Sequence, residues 1–402
     1  MFTDSIYVDK LLNTRNNGNV KIINGVKKCG KSVLLADYVK KLSNEEVSYN
    51  KIYERNLVSS YLKRIPTAED LEQDIREYFK SYIGTETEIY LLLDNIVNVK
   101  NWESLLASLI NISNLEIIVT ASHSIKTNLV LDKVLLNKYD IIEMFPFSFK
   151  EYVISNNIPY DRATSEDVYR YIKLGGFPDI LLSPKERVKV NLLNLYWDST
   201  VVMDTAIRNN IRNIEDEDMA IMYMCSTLGN PLSISNILSF MKKEGSQVTY
   251  PTITTYIKSL VDSNILYPIQ RYDTINETLI NAGTRYYVVD TGLACIKIGT
   301  NKFNDELLLK NIIFLEFKRR GFEVNIAKVG TNEISFLVEK DGKKEYFEVC
   351  KTLNDTKFRN KRFRALKLIK DNYPKHILSL DDQNYSEFDI KHQNIVDFLL
   401  NR

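Results

Sequence analysis

Val20-Lys-Ile-Ile-Asn24 runs directly into Gly25-Val-Lys-Lys-Cys-Gly30-Lys31-Ser32, and from Ser32 to Lys41 apolar residues recur at helical spacing. A β-branched run, a glycine-bounded loop and an amphipathic stretch predict strand, loop and helix in that order. The loop satisfies G-x-x-x-x-G-K-S/T, and each residue type has a reason to be there. Glycines let successive backbone N–H groups curl around phosphates, Lys31 neutralises their charge, and the Ser32 hydroxyl ligates magnesium. The bland alternative, a lysine-rich surface turn, does not require a strand before it and a helix after it.

Working outward, Ile89 to Leu93 and Leu115 to Thr120 predict two further buried strands, separated by a helix-like stretch around Trp102 to Ile110. Strands alternating with helices predict a parallel sheet in a three-layer αβα core. Asp94 follows the second of these strands, where a carboxylate holds the water shell of a magnesium ion, so Ser32 and Asp94 form the expected metal side of the site. The next position, usually a glutamate in hydrolytic sites of this kind, is Asn95, whose amide orients water but accepts no proton. Slow hydrolysis and nucleotide binding without turnover both fit it. Thr120 and Ser122 stand where a polar sensor would meet a γ-phosphate or the lytic water, and ordinary strand-end hydroxyls fit the same positions. His123 reads as a solvated loop histidine.

The chain has 402 residues, 44% of them hydrophobic, which is enough for two to four domains with their own cores and excludes a disordered tail protein. With 53 basic and 52 acidic residues the net charge is +1, so any nucleic-acid surface must be a local patch. The opening MFTDSIYVDK lacks a basic stretch followed by an apolar one, and no run approaches the ~18 apolar residues of a membrane span, so a soluble cytoplasmic protein is expected. Cys29, Cys225, Cys295 and Cys350 are far apart, and His123, His376 and His392 never join them at zinc-ligand spacing.

After Pro146 the pattern turns helical, with helices predicted at Val168 to Leu174 and Val188 to Val202. Two helices, Ile234 to Met241 and Tyr250 to Asp262, followed by strands Ile265 to Tyr272 and Thr284 to Val289, outline a winged helix. Its second helix offers Thr252, Thr254, Thr255, Tyr256 and Lys258 as polar contacts, a set short of the basic residues that engage phosphates. The last hundred residues predict a helix at Glu306 to Arg320 and strands at Phe322 to Ala327, Glu333 to Val338 and Lys344 to Val349, the last two joined by Asp341-Gly342. Between Glu339 and Lys375, twelve Lys or Arg face six Asp or Glu. The cluster Lys357-Phe-Arg-Asn-Lys-Arg-Phe-Arg364 suits a nucleic-acid backbone with Phe358 and Phe363 stacking, and equally an amphipathic helix with two core phenylalanines.

KIINGVKKCGKSVLL, Asp94 with its following NIVNVKNWE, MFPFSFKEY at Met144 to Tyr152 and LGGFPDI at Leu174 to Ile180 together resemble the prokaryotic AAA+ family ATPases with a C-terminal domain of the PD-(D/E)xK nuclease-like type. The resemblance runs in order over nearly the whole chain. It implies an α/β multidomain protein: a P-loop NTPase core (1–145), a helical lid (146–213), a winged helix (214–298) and a degenerate restriction-endonuclease-like domain (299–402). It implies ATP and Mg2+ as ligands, with Gly25, Lys28, Cys29, Gly30, Lys31, Ser32, Val33 and Thr120 around the nucleotide. Asp94, Asn95 and Arg208 would be the catalytic group, Arg208 reaching a phosphate with Arg212 four residues on. Pro178 would lie near the adenine, while Tyr7 and Val8 suit either the other face of the base or the core. In the last domain the resemblance implies a vestigial nuclease site of Glu316, Glu333 and Glu348. Ser335 stands where relatives carry an aspartate, and Cys350 where a lysine is needed. The expected partners are ATP, DNA through the basic C-terminal region, and a protein partner or a second copy; a metal-dependent nuclease and a non-hydrolysing ATP-bound scaffold are the rival readings.

Overall fold

The computed structural model describes residues 6–58, 64–125, 129–299 and 304–402, and the side chains of Leu129 and Arg208 lie outside what it describes. The chain divides into two units, Met1–Met144 and Phe145–Arg402.

In the first unit, β1 (Val20–Asn24) and β3 (Ile89–Asp94) are buried at every position and β4 (Leu115–Ala121) at all but its first. Burial on both faces is what makes these strands mostly apolar, with Lys21 and Glu116 the charged exceptions. β2 (Ile52–Asn56) and β5 (Tyr139–Glu143) close the two edges, giving the order β2-β3-β4-β1-β5 with every pairing parallel. Both edge strands escape the sequence reading because IYERN and YDIIE carry the polarity an edge tolerates. Helices Lys31–Asn44, Ala68–Tyr78 and Trp102–Leu109 cover the sheet. Residues Leu71, Ile75, Leu91, Leu93, Leu105, Leu106 and Val119 are among those that pack into one apolar core. Tyr7 and Val8, on helix Ile6–Asn13, are buried. One ion pair lies inside this sheet: Lys21 Nζ is 2.8 Å from Glu116 Oε1, with side chains 0% and 4% exposed.

The second unit begins with helices Phe149–Ser155 and Ser165–Leu174, then a long run in which Glu186–Tyr196 passes through a π-helical Trp197–Met203 into Asp204–Arg208. The helix stops there because Asn210 adopts a left-handed backbone with φ 52. Arg212 therefore lies beyond the helix, and the expected shared face of Arg208 and Arg212 does not form. Three helices, Ile214–Ser226, Ile234–Lys243 and Tyr250–Asp262, precede the hairpin of β6 (Leu266–Asp273) and β7 (Thr278–Val288). Tyr256 is buried in this group, so it is no surface contact, whereas Thr254, Thr255 and Lys258 are exposed.

The hairpin does not stand apart from the C-terminal strands. β6 pairs in parallel with β8 (Glu323–Val329), and β9 (Asn332–Lys340), β10 (Lys343–Val349), β11 (Lys375–Ser379) and β12 (Ile390–Asn394) continue the sheet. The seven strands run β12-β11-β10-β9-β8-β6-β7. The β9–β10 turn has φ 51 at Asp341 and 73 at Gly342, the left-handed pair that a two-residue hairpin needs. β11 (KHILS) and β12 (IKHQN), five residues each, escape the sequence reading because polar residues outnumber or flank their few apolar ones.

The two distinctive sequence segments meet here. Phe147 N donates to Gly176 O at 2.6 Å, Gly176 N donates to Asp290 Oδ2 at 2.6 Å, and Tyr171 Oη donates to Phe147 O at 2.7 Å. Arg319, on helix Asp305–Arg319, adds a 2.9 Å bond to Pro146 O. Asp290 also caps helix Thr291–Ile298 through Leu293 N, and its complete burial pushes its carboxyl up to about 6 despite these donors.

Glu217, fully buried on helix Ile214–Ser226, accepts from Thr205 Oγ1 at 3.0 Å, and burial pushes it up to about 7. A folded-state value above the ordinary one means stability is fully present when the group is protonated in both states and is lost as pH rises through about 7. Glu217→Gln, neutral throughout, is expected to flatten the dependence of thermal stability on pH between about 5 and 8. Identical profiles for the variant and the native chain would show that the group titrates normally.

Candidate functional site

The loop between β1 and helix Lys31–Asn44 is built by close approach. Gly25 N bonds Ala121 O at 3.1 Å, and a Cβ on Gly25 would stand 2.2 Å from Met144 O, so no side chain fits. Gly30, with φ 109, turns the chain into the helix. Lys28, exposed, also holds a positive φ of 69, and Val33 is exposed on the first helical turn. Lys31 is buried and folds back on the loop, its Nζ donating to Gly25 O and Val26 O, each at 2.8 Å. Cys29 lies beneath, its Sγ 3.6 Å from Met144 O, and burial raises its thiol, leaving it a packing residue without nucleophilic character.

Register brings the acidic side to the loop. Leu93 pairs with Val119 and Asn56 with Asp94, so Asp94, Asn56 and Thr120 leave the sheet side by side. The Asp94 carboxylate collects three donors: Ser32 Oγ at 2.6 Å and Asn56 Nδ2 at 2.9 Å on one oxygen, Thr120 Oγ1 at 2.5 Å on the other. Asn56 is absent from the sequence reading, and only the strand register reveals it. Asn95 takes a left-handed backbone, φ 61, and its N–H bonds Thr120 Oγ1 at 2.8 Å. Asparagine suits that conformation better than most residues. The structure therefore joins Lys31, Ser32, Asp94, Asn95 and Thr120 in one cluster. Ser122 is buried just beyond β4, and His123 is half-buried.

The remaining expected residues belong to the second unit. Pro178 opens the short helix Pro178–Leu181, and Arg208 ends its helix with its side chain outside the described residues. The three glutamates of the expected nuclease site are engaged separately. Glu316 receives Arg320 Nε at 2.8 Å, with Arg319 Nη1 at 3.6 Å. Glu333 holds Arg271 and Arg285. Glu348 accepts Ser335 N at 2.7 Å and Ser335 Oγ at 2.9 Å, and pairs with Arg362. Burial pushes the Cys350 thiol up to about 12, and Lys351 reaches Asp305. Among the described residues no group of three His, Cys, Asp or Glu is placed to hold a metal ion.

On helix Thr356–Lys367, Phe363 is buried and Phe358 packs against the same core, so stacking of Phe363 on a base is excluded and the amphipathic reading holds for it. Lys357, Lys361 and Arg364 remain exposed. No helix among the described residues is long and apolar enough to cross a membrane.

Residues 17–153 match the family described as an AAA domain, and residues 165–304 match a domain of unknown function. An uncharacterized protein of Haemophilus influenzae is 28% identical over 402 residues, covering 100% of this chain and 99% of its own. One of Methanocaldococcus jannaschii is 25% identical over 389 residues, covering 92% and 84%. Among solved structures, the Walker-type ATPase of Pyrococcus abyssi gives a TM-score of 0.47 at 15% identity, over 74% of this chain and 95% of that one. AMPPCP-bound DnaA from Aquifex aeolicus gives 0.30 at 13% identity, over 63% and 85%. The AAA-domain match falls on the segment that carries the phosphate loop, Asp94 and Thr120, and supports an AAA-type, nucleotide-binding domain there.

Proposed function

We propose that this chain binds Mg-ATP on the loop Gly25 to Ser32, and that binding, with slow hydrolysis, drives a rearrangement of the second unit. The observation that carries the reading is the Asp94 carboxylate at the end of β3, bonded at once to Ser32 Oγ and Thr120 Oγ1 beside a loop whose lysine donates to the Gly25 and Val26 carbonyls. An arriving triphosphate offers Lys31 a charged acceptor in place of two neutral ones, a stronger partner for an ammonium. Ser32 and Asp94 are hard oxygen donors within hydrogen-bonding distance of each other, a set that suits magnesium. Bound there, magnesium supplies positive charge to the phosphate oxygens. Thr120 holds Asp94 and the Asn95 backbone in place, and Asn95 orients water without taking its proton.

A nucleotide-binding switch without turnover is the second reading, favoured by the Asn95 amide. In the fuller form of the proposal, the helices and hairpin of residues 214–298 act as a winged helix that contacts protein, the C-terminal strands form a nuclease-like domain, and Lys357, Lys361 and Arg364 contact DNA.

The test is steady-state phosphate release and ATP affinity for the native chain, Lys31→Ala and Asn95→Glu, with and without DNA. Lys31→Ala is expected to lose turnover and to weaken ATP by about 30- to 150-fold, the ~2–3 kcal/mol of a charge-assisted contact. Asn95→Glu is expected to raise the rate, against a backbone cost of ~1–2 kcal/mol for glutamate in the left-handed region. Unchanged ATP affinity in Lys31→Ala would sink the assignment of the loop. Undetectable release by the native chain, with activity in Asn95→Glu, would establish the switch.

A further inference from the structure

Arg362 turns away from the exposed basic face of its helix and inserts its guanidinium between two carboxylates. One edge meets Glu348 on β10; the other donates to both oxygens of Glu306, at 2.8 and 3.0 Å, on helix Asp305–Arg319. Glu348, 2% exposed, spends its second oxygen on the N–H and hydroxyl of Ser335 from β9. Glu306 also receives Lys310 Nζ at 2.8 Å. Two carboxylates thus face two cations, each carboxylate accepting three contacts from N–H or O–H donors.

A nuclease site built on this strand pair and helix needs a divalent cation among its carboxylates. The residues present do not fit one: Ser335 acts as a donor to Glu348, and the interior charge is already balanced. A guanidinium carries a permanent charge and five donors in a fixed fork, so it cannot step aside by losing a proton. We propose that Arg362 is the resident cation of the Glu306–Glu348 cluster, standing where a divalent metal would otherwise bind, and that it closes the C-terminal domain to metal-dependent cleavage. The same contact ties helix Thr356–Lys367 to the sheet, so the basic face is presented by the residue that excludes the metal.

The probe is Mn2+ alone, added to the nucleotide-free full chain and followed by electron paramagnetic resonance and by thermal melts. Native protein, Arg362→Ala, Glu348→Gln and the double variant are compared, and any Mn2+ held near Ser32 and Asp94 is common to all four. Arg362→Ala is expected to melt lower, to bind about one further Mn2+ per chain and to regain about 5 °C of Tm on adding it. Adding Glu348→Gln should abolish both gains. Glu348-dependent Mn2+ binding by the native protein would overturn the proposal, a result that needs no variant without Arg362 to fold. A folded Arg362→Ala with no more Mn2+ than native would overturn it equally.

Discussion

Alanine at position 176 is expected to cost the second unit about 3–5 kcal/mol, combining overpacking with the loss of buried hydrogen bonds. A Cβ there would stand 2.3 Å from Phe147 O and 3.0 Å from Phe147 N. Both are backbone atoms, so no rotamer relieves the contact. The chain must part, breaking the 2.6 Å Phe147–Gly176 bond and the 2.6 Å bond that Gly176 gives to Asp290. Asp290 would then be buried with fewer donors around a carboxyl already raised to about 6. For a unit of this size the loss corresponds to a Tm drop of about 6–20 °C, readable by calorimetry. A drop under about 2 °C would show that the Gly-Gly-Phe-Pro segment is not clamped to Phe147.

Lys21→Met should act as strongly on the first unit. Lys21 Nζ contacts Glu116 Oε1 at 2.8 Å, Glu116 Oε2 at 3.0 Å and Asn19 O at 2.9 Å, in a region with almost no solvent. Removing the cation leaves a buried carboxylate uncompensated, a change that costs about 3–5 kcal/mol. Lys21→Met/Glu116→Gln is expected to recover most of this, because the charge is gone and the glutamine oxygen still accepts from Asn16 N, 3.1 Å away in the native chain. Denaturant midpoints of the four proteins close the cycle. A coupling below about 0.5 kcal/mol would mean water reaches Glu116 and the pair is worth no more than a surface one.

The sequence disclosed what burial writes into composition. β1, β3 and β4 are buried on both faces and mostly apolar, and so readable despite Lys21 and Glu116, as was the loop that follows β1, because its chemistry restricts residue types at fixed spacing. Asn56 was not, since a polar residue ending a polar edge strand looks like loop until the register sets it beside Asp94. Arg362 left a faint signal, four residues after Phe358 and four before Leu366 and so on the apolar stripe of its helix, but the two carboxylates that claim it lie 14 and 56 residues away. Glu333 and Glu316 are ligands only by what the resemblance implies, and the arginines that hold Glu333 come from the hairpin 48 and 62 residues earlier.

The parallel join of β6 to β8 sets the smallest piece of the second unit that can be moved intact. A chain ending after Ile298 would leave β6 with a raw edge at Arg271–Asp273, and a chain starting at Asp305 would bare the matching edge of β8 at Ile326–Lys328. Exposed strand edges recruit other strands, so each fragment would tend to aggregate. Hairpin and C-terminal strands therefore make one plate, and a fragment that keeps both edges covered must contain both.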